Sequence, residues 1–288
     1  MITNQSKRDK YISRKIWYTL VFICMPLFVL NCSDNQSNMS SEQNVDSQQT
    51  SADASSDQVS EDEWQTLFDG ESLNGWRGLG RDGIPEDHWI VEEGTIRKVA
   101  TDDVARADDG QPVAGGDLLY DQQFENFELR FEWKVSPGAN SGIKYNVSEE
   151  MSTSHSPEYG ALGFEYQVLD DDEHPDAQND PNRWAAGLYD LIPPGSNAEL
   201  EPVGSWNTGR IIFNGNRGEH WLNGEKVLEY ELGTHMMNRL LATSKWGELG
   251  DDTHIPDFGT RRSSGYIVLQ DHGDDVWYRD IKIRELSP

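Results

Sequence analysis

The sequence predicts an all-β protein, built as a sandwich or barrel of antiparallel strands. Many short stretches alternate apolar with polar residues, turn residues separate them, and hardly any stretch has the period of a helix. The chain of 288 residues holds ten Trp, ten Tyr and nine Phe, although only 35% of it is hydrophobic. A polar chain so rich in large aromatic residues is typical of one well-formed β core with additional exposed rings.

Alternation identifies most of the strands. The clearest is Phe127–Val135, where apolar and charged residues alternate as in an antiparallel strand with one buried face. Asn223-Gly224 stands between two such stretches and predicts a hairpin with a type I′ turn. One short helix is predicted at His235–Thr243. The remaining predicted strands are 143–147, 164–169, 210–213, 219–222, 226–230, 266–270 and 276–284.

Charge and cysteine content exclude several classes of protein. The formal net charge is −27, which excludes a nucleic-acid binder that works through a basic surface. Cys24 and Cys32 are the two cysteines, so the rest of the chain has neither a disulfide framework nor a Cys-ligated zinc. Gly-x-Ser-x-Gly does not occur, and no glycine-rich phosphate loop follows a strand, so we expect neither an esterase elbow nor a nucleotide site.

The first 32 residues have the pattern of a lipoprotein signal peptide. A basic stretch at 7–15 precedes a predominantly apolar run of fifteen residues at 16–30, which is too short for a transmembrane helix of about 20 residues. Residues 29–32 resemble a bacterial lipobox, so we predict lipidation at Cys32 and a lipid anchor to the membrane. The protein would then lie in the bacterial cell envelope, on the periplasmic side or on the outer surface.

Residues 33–63 are predicted to be a disordered acidic spacer. They contain eight acidic residues and no Lys or Arg, and such a segment cannot bury enough apolar surface to order itself. The folded domain is therefore expected at 64–288, with a net charge of −23.

Seven short motifs run in order along this domain. They are LFDGESLNGW at 67–76, NSGIKY at 140–145, EYQVLD at 165–170, GLYD at 187–190, HWLNG at 220–224, SKW at 244–246 and LQDHG at 269–273. In this order they resemble the bacterial 3-keto-disaccharide hydrolase family, also described as 3-keto-glucoside 1,2-lyase/3-keto-2-hydroxy-glucal hydratase, over about 64–286. The resemblance implies a concanavalin-like jelly roll of two antiparallel sheets, with a glycoside or oligosaccharide substrate in a cleft on the concave face. The chain departs from the family at 101–117 and 148–160, which we interpret as loop insertions at the rim of the cleft.

Strand parity, which does not depend on any family, places a set of polar residues on the non-core faces of three strands. Side chains alternate between the two faces of a strand, so Ile143, Tyr145 and Val147 are expected on the core face of their strand. If the non-core faces of these strands form one surface, its acid, base and amide groups would make a site. The alternative is that they are three ordinary solvated faces. The polar residues expected on the non-core faces of three strands are Lys144, Asn146, Glu165, Gln167, Gln270 and His272.

The chemistry of a 3-keto sugar suggests roles for some of these residues. The ketone at C3 acidifies the proton on C2, so a base can remove it, the C1 substituent can leave, and water can add to the enone. Glu165 or His272 could be the base, and Lys144, Lys245 or a divalent metal ion could hold the enolate. Asp170 or His272 could be the acid that protonates the leaving oxygen. At the level of sequence these roles stay open.

The remaining candidates concern binding. No cofactor is certain, and a divalent metal ion is the one considered. The acidic stretch 170–176 offers oxygen ligands for Ca²⁺ but lacks the spacing of an EF-hand, so we interpret it as a solvated loop. His220 is interpreted as a histidine on a sheet surface, and His88, His155, His235 and His254 as structural or exposed. The substrate-binding candidates are Gln167, Gln270, Asn146, Tyr189, Lys245 and Trp246.

The preferred hypothesis is an enzyme that cleaves 3-keto-glycosides by C2 proton abstraction, elimination and hydration. A non-catalytic carbohydrate-binding module on the same fold is one alternative, because fold alone does not decide function. A retaining hydrolase is the other, since Glu165-x-Gln167-x-x-Asp170 has the spacing of the laminarinase-like Glu-x-Asp-x-x-Glu signature. Retention needs two carboxylates about 5–5.5 Å apart, and here the middle carboxylate is replaced by an amide.

Overall fold

A computed structural model of the protein describes residues 64–104, 115–155, 160–250 and 254–287. The predicted signal peptide, the predicted lipidation at Cys32 and the predicted acidic spacer at 33–63 lie outside these residues. Within the described part of the chain, no helix is long and apolar enough to cross a membrane.

The described residues form strands with three short helices between them. The helices are α1, Glu149–His155; α2, Pro175–Asn179; and α3, His235–Thr243. The strands are β1, Gln65–Thr66; β2, Trp76–Gly78; β3, Trp89–Glu92; β4, Thr95–Lys98; β5, Leu118–Phe124; β6, Phe127–Val135; β7, Asn140–Val147; β8, Phe164–Leu169; β9, Asn207–Asn214; β10, Arg217–Leu222; β11, Glu225–Glu231; β12, Gly265–Leu269; and β13, Val276–Glu285.

The strands pair into two antiparallel sheets. One sheet has eight strands, in the order β11-β10-β9-β6-β13-β4-β3, with β1 added alongside β13. The other has five strands, in the order β2-β5-β12-β7-β8. The predicted all-β class with two antiparallel sheets is therefore confirmed.

The main core lies between the inner faces of the two sheets. Tyr145 and Tyr166 of the five-stranded sheet are fully buried there with Phe131 and Trp133 of the eight-stranded sheet. The rings of Phe131 and Tyr166 meet edge to face, with centroids 5.1 Å apart. This packing agrees with the alternation in the sequence, because every second residue of these strands points into the main core.

One parity prediction is wrong, at the end of β7. Asn146 has a left-handed backbone, with φ of +55°, and the register with β12 shifts at this point. Such a bulge reverses the side chain that follows. Val147 therefore leaves the main core and packs with Leu119, Ala161 and Val268 on the opposite face of the five-stranded sheet.

The prediction of a single helix was also incomplete. The helix predicted at His235–Thr243 is confirmed, and its N-terminus is capped by the hydroxyl of Thr234, which accepts the N–H of Met237. α1 lies in the region interpreted as a loop insertion, where Ser148 caps its start by accepting the N–H of Met151. The predicted Asn223-Gly224 turn is confirmed, because both residues have the positive φ that a type I′ turn requires.

The interpretation of His220 as a surface residue is wrong, because His220 is completely buried in the core. Its Nδ1 must donate to the carbonyl oxygen of Ala186 at 3.1 Å, since a carbonyl only accepts. Its Nε2 then accepts from the hydroxyl of Tyr145 at 2.8 Å, and Tyr145 in turn accepts from Tyr230 at 2.8 Å. Burial lowers the pKa of His220 to about 4, so it stays neutral in this network.

Candidate functional site

The candidate site lies on the outer face of the five-stranded sheet, which we call the site face. Lys144 on β7 is directly opposite Glu165 on β8 and Val268 on β12. Gln167 follows Glu165 on the same face and is opposite Gly142. Parity therefore correctly predicted that Lys144, Glu165 and Gln167 share one surface.

A buried carboxylate completes this charge group. Nζ of Lys144 lies 3.6 Å from Oδ2 of Asp117 and 4.0 Å from Oε2 of Glu165, and all three side chains are nearly inaccessible to solvent. Asp117 also accepts the backbone N–H groups of Ala161 and Asp271, at 2.8 and 2.9 Å. The sequence analysis missed Asp117, because it precedes β5 in a stretch without a motif.

The carboxyl group of Glu165 is adapted to exchange protons near neutrality. Burial raises its pKa to about 7, against the opposing effect of the Lys144 and Lys245 ammonium groups. Asp117 and Asp176 add to the increase. A general base works best when its pKa lies near the operating pH, so this carboxyl group has the property that proton abstraction needs.

A second cluster of polar residues lies beside Glu165. The segment that contains Tyr189 runs along β8, and the N–H of Tyr189 donates to the carbonyl oxygen of Glu165 at 3.1 Å. The Tyr189 hydroxyl donates to Oδ2 of Asp176 at 2.9 Å and accepts from Nζ of Lys245 at 3.3 Å. Arg183 holds the other oxygen of Asp176 at 3.0 Å. These contacts place the predicted residues Tyr189 and Lys245 next to Glu165.

Burial also changes the proton affinities within this cluster. It lowers the pKa of Lys245, partly opposed by the attraction of Glu165. It raises the pKa of Tyr189 far above its usual value, and the charges of Glu165 and Asp176 raise it further. For Asp176, burial works toward a higher pKa but is outweighed by the Tyr189 hydroxyl and Arg183, so its pKa is lowered.

The indole of the predicted residue Trp246 forms part of the wall around Lys245. Nζ of Lys245 lies 4.3 Å from the centroid of the Trp246 ring and 4.6 Å from that of Tyr189. Trp246 packs against Phe258 at 4.5 Å and against Tyr189 at 6.4 Å between centroids. The two rings exclude water from the ammonium group, and this loss of solvation agrees with the lowered pKa of Lys245.

Three amide side chains of the site have buried atoms without a hydrogen-bond partner among the described residues. Gln167 is fully buried, yet neither its Oε1 nor its Nε2 has a hydrogen-bond partner among the described residues. The same holds for Oε1 of Gln270 and for Oδ1 of Asn140, which the sequence analysis did not select. Buried polar groups are normally hydrogen-bonded, so unpartnered amides beside Glu165 and Lys144 are what a site for a hydroxyl-rich ligand would leave in its free form.

His272 lies at the edge of the site, on the loop after β12. This loop is fixed by Asp271, which lies 3.0 Å from Nζ of the fully buried Lys98 and accepts the N–H of Gly116 at 2.9 Å. His272 is 44% exposed, its ring centroid lies 5.6 Å from that of His174, and its Nδ1 is 3.9 Å from Asp274. Burial of the remaining ring surface and the proximity of His174 lower the pKa of His272.

Two predicted residues have structural contacts instead of a place beside Glu165. The Asp170 carboxylate accepts backbone N–H groups from Gly138, Asp172 and Glu173, at 2.8, 2.9 and 3.3 Å, and so shapes the turn after β8. The Asn146 amide donates to the carbonyl oxygen of Thr260 and accepts the N–H of Arg262. Asp170 has the parity of the core residues of β8, and Asn146 is the bulge residue of β7.

The five-stranded sheet of this antiparallel β-sandwich carries a buried acid and a buried ammonium group, Glu165 and Lys144, with amide atoms beside them that lack a described partner, and Lys245 adds a half-buried ammonium group. Such a set of convergent polar groups is typical of a binding site for a polar ligand. Residues 63–284 match the model of the 3-keto-alpha-glucoside-1,2-lyase-like domain, and the chain therefore belongs to that family. It is 41% identical over 241 residues to the 3-keto-disaccharide hydrolase of Bacteroides thetaiotaomicron, an alignment that covers 80% of each chain.

Two solved structures from Parabacteroides distasonis share the fold. The first is 27% identical, with a TM-score of 0.63, over 80% of this chain and 98% of that one. The second is 25% identical, with a TM-score of 0.54, over 77% of this chain and 99% of that one. The family resemblance inferred from the seven motifs is thereby confirmed.

Proposed function

We propose that the protein is a glycoside-cleaving enzyme that acts on 3-keto-disaccharides and related 3-keto-glycosides by elimination followed by hydration. Membership in the family and the name of the Bacteroides thetaiotaomicron relative support the substrate class. The observation that carries the mechanism is the buried carboxyl group of Glu165, which lies 4.0 Å from the buried ammonium group of Lys144 and whose pKa burial raises to about 7.

Glu165 is the base in this proposal. Its carboxylate removes the proton from C2 of the sugar, and the electron pair of the C–H bond moves into an enolate on the C3 oxygen. The reaction replaces the negative charge of Glu165 with one on the substrate. Lys144 and Lys245, which both lower the pKa of Glu165 by attraction, are close enough to stabilise this new negative charge.

The enolate then collapses and expels the substituent at C1. The C3 carbonyl re-forms, a double bond forms between C1 and C2, and the leaving oxygen takes a proton. Lys245 supports this step because its lowered pKa makes its ammonium group a better acid than an exposed lysine. Water next adds to C1 and a proton returns to C2, so the overall reaction is hydrolysis of the glycosidic bond.

The contacts of Asp170 weigh against the retaining-hydrolase alternative. That mechanism needs a second carboxylate about 5–5.5 Å from the first, and Asp170 is occupied by three backbone N–H groups in a turn. The binding-module alternative has no use for a buried base with a pKa near 7. Elimination uses both the base and the ammonium groups.

Solvent deuterium exchange tests the mechanism. The purified protein is incubated in D₂O with a 3-keto-disaccharide and, as a control, with the corresponding plain disaccharide. We expect cleavage of the 3-keto substrate alone, with deuterium at C2 of the released 3-keto sugar detected by NMR. Cleavage without deuterium at C2 would contradict elimination, and binding of both sugars without cleavage would support the binding module.

The proposal includes attachment to the cell envelope through a lipid on Cys32. Its support is the basic, apolar and cysteine pattern of residues 1–32, followed by the acidic stretch 33–63. Expression of the full chain and of Cys32→Ser in a bacterial host, followed by membrane fractionation, tests it. The variant should leave the membrane fraction, and equal retention of both forms would contradict the anchor.

A further inference from the structure

Two imidazoles and a carboxylate meet at the edge of the site. His174, His272 and Asp274 each offer a ligand atom, and these atoms all lie within 4.8 Å of one another. The loop before α2 contributes His174, and the loop after β12 contributes the other two residues. We propose that these three residues bind one divalent transition-metal ion, such as Zn²⁺ or Mn²⁺, and leave coordination positions open for a ligand.

The types of ligand atom determine the kind of ion. Imidazole nitrogens suit transition-metal ions better than Ca²⁺ or Mg²⁺, which prefer a shell made of oxygens alone. Three protein ligands with an open position are typical of catalytic rather than structural metal sites. Ligand atoms around such an ion lie somewhat closer together than 4.8 Å, and His272, which is 44% exposed, has room to turn inward.

Neighbouring residues provide a second, independent observation. The Asp274 carboxylate is fixed from behind, because its Oδ2 accepts the N–H of Asn140 at 3.0 Å. Asn140 is only 2% exposed, and its own Oδ1 has no partner among the described residues. Gln270, two residues before His272, likewise has a buried Oε1 without a described partner. Buried oxygens without a described partner, on residues adjoining the three ligands, fit a water molecule or a sugar hydroxyl held on the ion.

Metal binding would change one contact of His174. Its Nδ1 now accepts the N–H of Asp176 at 3.2 Å and thereby caps α2. A neutral imidazole has one lone pair, so a metal ion on either nitrogen must displace this contact. The contact is long, and α2 has only five residues, so its loss removes little stabilisation.

The role of the ion depends on the proposed function, whereas the binding itself does not. The N–H of Gln270, two residues before His272, donates to the carbonyl oxygen of Gly142 at 2.9 Å, and Gly142 lies against the Glu165 carboxyl group, so the ion would lie at the edge of the same site. A 3-keto sugar presents a ketone next to hydroxyl groups, and this pair of oxygens chelates divalent ions. Bound there, the ion would share with Lys144 the negative charge that develops on the C3 oxygen.

Calorimetric titration of the EDTA-treated protein with ZnCl₂ and with MnCl₂ tests the site. We expect one equivalent of metal on the wild type and at least tenfold weaker binding by His174→Asn and by His272→Gln. Asn retains the ability to cap α2, and Gln replaces a half-exposed side chain, so both variants should fold. His155→Asn is the matched control, because His155 is an exposed histidine on α1 outside the group.

Equal affinities of the wild type and both site variants would overturn the proposal, as would the absence of stoichiometric binding by the wild type. Because the titration contains no sugar, its result does not depend on the proposed function. Stoichiometric binding without any cleavage of a 3-keto-disaccharide would support the site and contradict the function. Full cleavage by the metal-free protein would instead overturn the chelating role of the ion.

Discussion

The carboxyl group of Glu165 lies directly over the α-carbon of Gly142 on the neighbouring strand. A β-carbon at position 142 would overlap Oε1 of Glu165 and contact both Cδ and Cγ. Gly142 has an ordinary backbone conformation, so glycine is needed there for space and not for a special φ. The absence of a side chain on β7 thus lets the buried carboxyl group reach its position beside Lys144.

Gly142→Ala should therefore displace the Glu165 carboxyl group while leaving the fold intact. We expect the turnover of a 3-keto-disaccharide to fall by about 10²-fold, because a misplacement of about 1 Å in a reacting group has an effect of that order. Steady-state kinetics and the circular dichroism spectrum check this. Gly83→Ala is the matched control, since a β-carbon at position 83 would have no other atom within 4 Å, and it should keep full activity.

Glu165→Gln should remove the base and lower kcat by about 10²–10⁴-fold. In the wild type, kcat should rise with pH through about 7, because only the ionised carboxylate accepts the C2 proton. The pH profile of kcat measures this directly. A profile of kcat that is flat between pH 6 and 8, or a Glu165→Gln variant with normal turnover, would show that Glu165 is not the base.

The same substitution should change how stability depends on pH. The folded protein holds the Glu165 proton more tightly than the unfolded chain, since the pKa rises from 4.5 to about 7 on folding. The wild type should therefore lose stability as pH rises from about 4.5 to about 7, with no further loss above that range. Because Gln does not ionise, the melting temperature of Glu165→Gln minus that of the wild type should be larger at pH 8 than at pH 5. A constant difference would show that Glu165 does not titrate in this range.

Lys144→Met should combine a loss of rate with a shift of the pH profile. Removing the ammonium group takes away an attraction that lowers the pKa of Glu165, so the rising limb of kcat should move to higher pH. The maximum rate should also fall, because the enolate loses a stabilising charge. Lys226→Met is a suitable control, since Lys226 pairs with Glu229 on the protein surface. If the rising limb of kcat stays at the same pH in Lys144→Met, Lys144 does not influence the pKa of Glu165.

Gln167→Met should separate substrate binding from stability. The buried amide of Gln167 has no described partner in the free protein, so an apolar side chain of similar size removes a desolvated polar group at little or no loss of stability. The KM for a 3-keto-disaccharide should rise, because the amide no longer meets a hydroxyl of the substrate. Kinetics combined with thermal unfolding test both effects. A lower melting temperature with unchanged KM would mean that Gln167 is structural.

The sequence predicted the strand-borne part of the site because side chains on a strand alternate with a fixed period. The apolar residues at 164, 166 and 168 indicate the core face, and this alone places Glu165 and Gln167 on the other face. The prediction failed for Val147, where the bulge at Asn146 interrupts the period. A left-handed asparagine has no sequence signature strong enough to reveal such a bulge in advance.

The loop-borne part of the site was decided by tertiary structure. Asp117, Asp176 and Asp274 lie in segments without a period, and Asp117 and Asp274 contact residues that are far away in sequence, Lys144 and Asn140. The pairing of β12 with both β5 and β7 brings the segments that precede β5 and follow β12 to β7, which carries both of these partners. The sequence by itself determined the class of fold, the family and which strand residues share a face, because these depend on local alternation and motifs. Only the tertiary structure decided which charges become neighbours and how far burial shifts the pKa of Glu165, because both depend on the non-local packing of loops over the sheet.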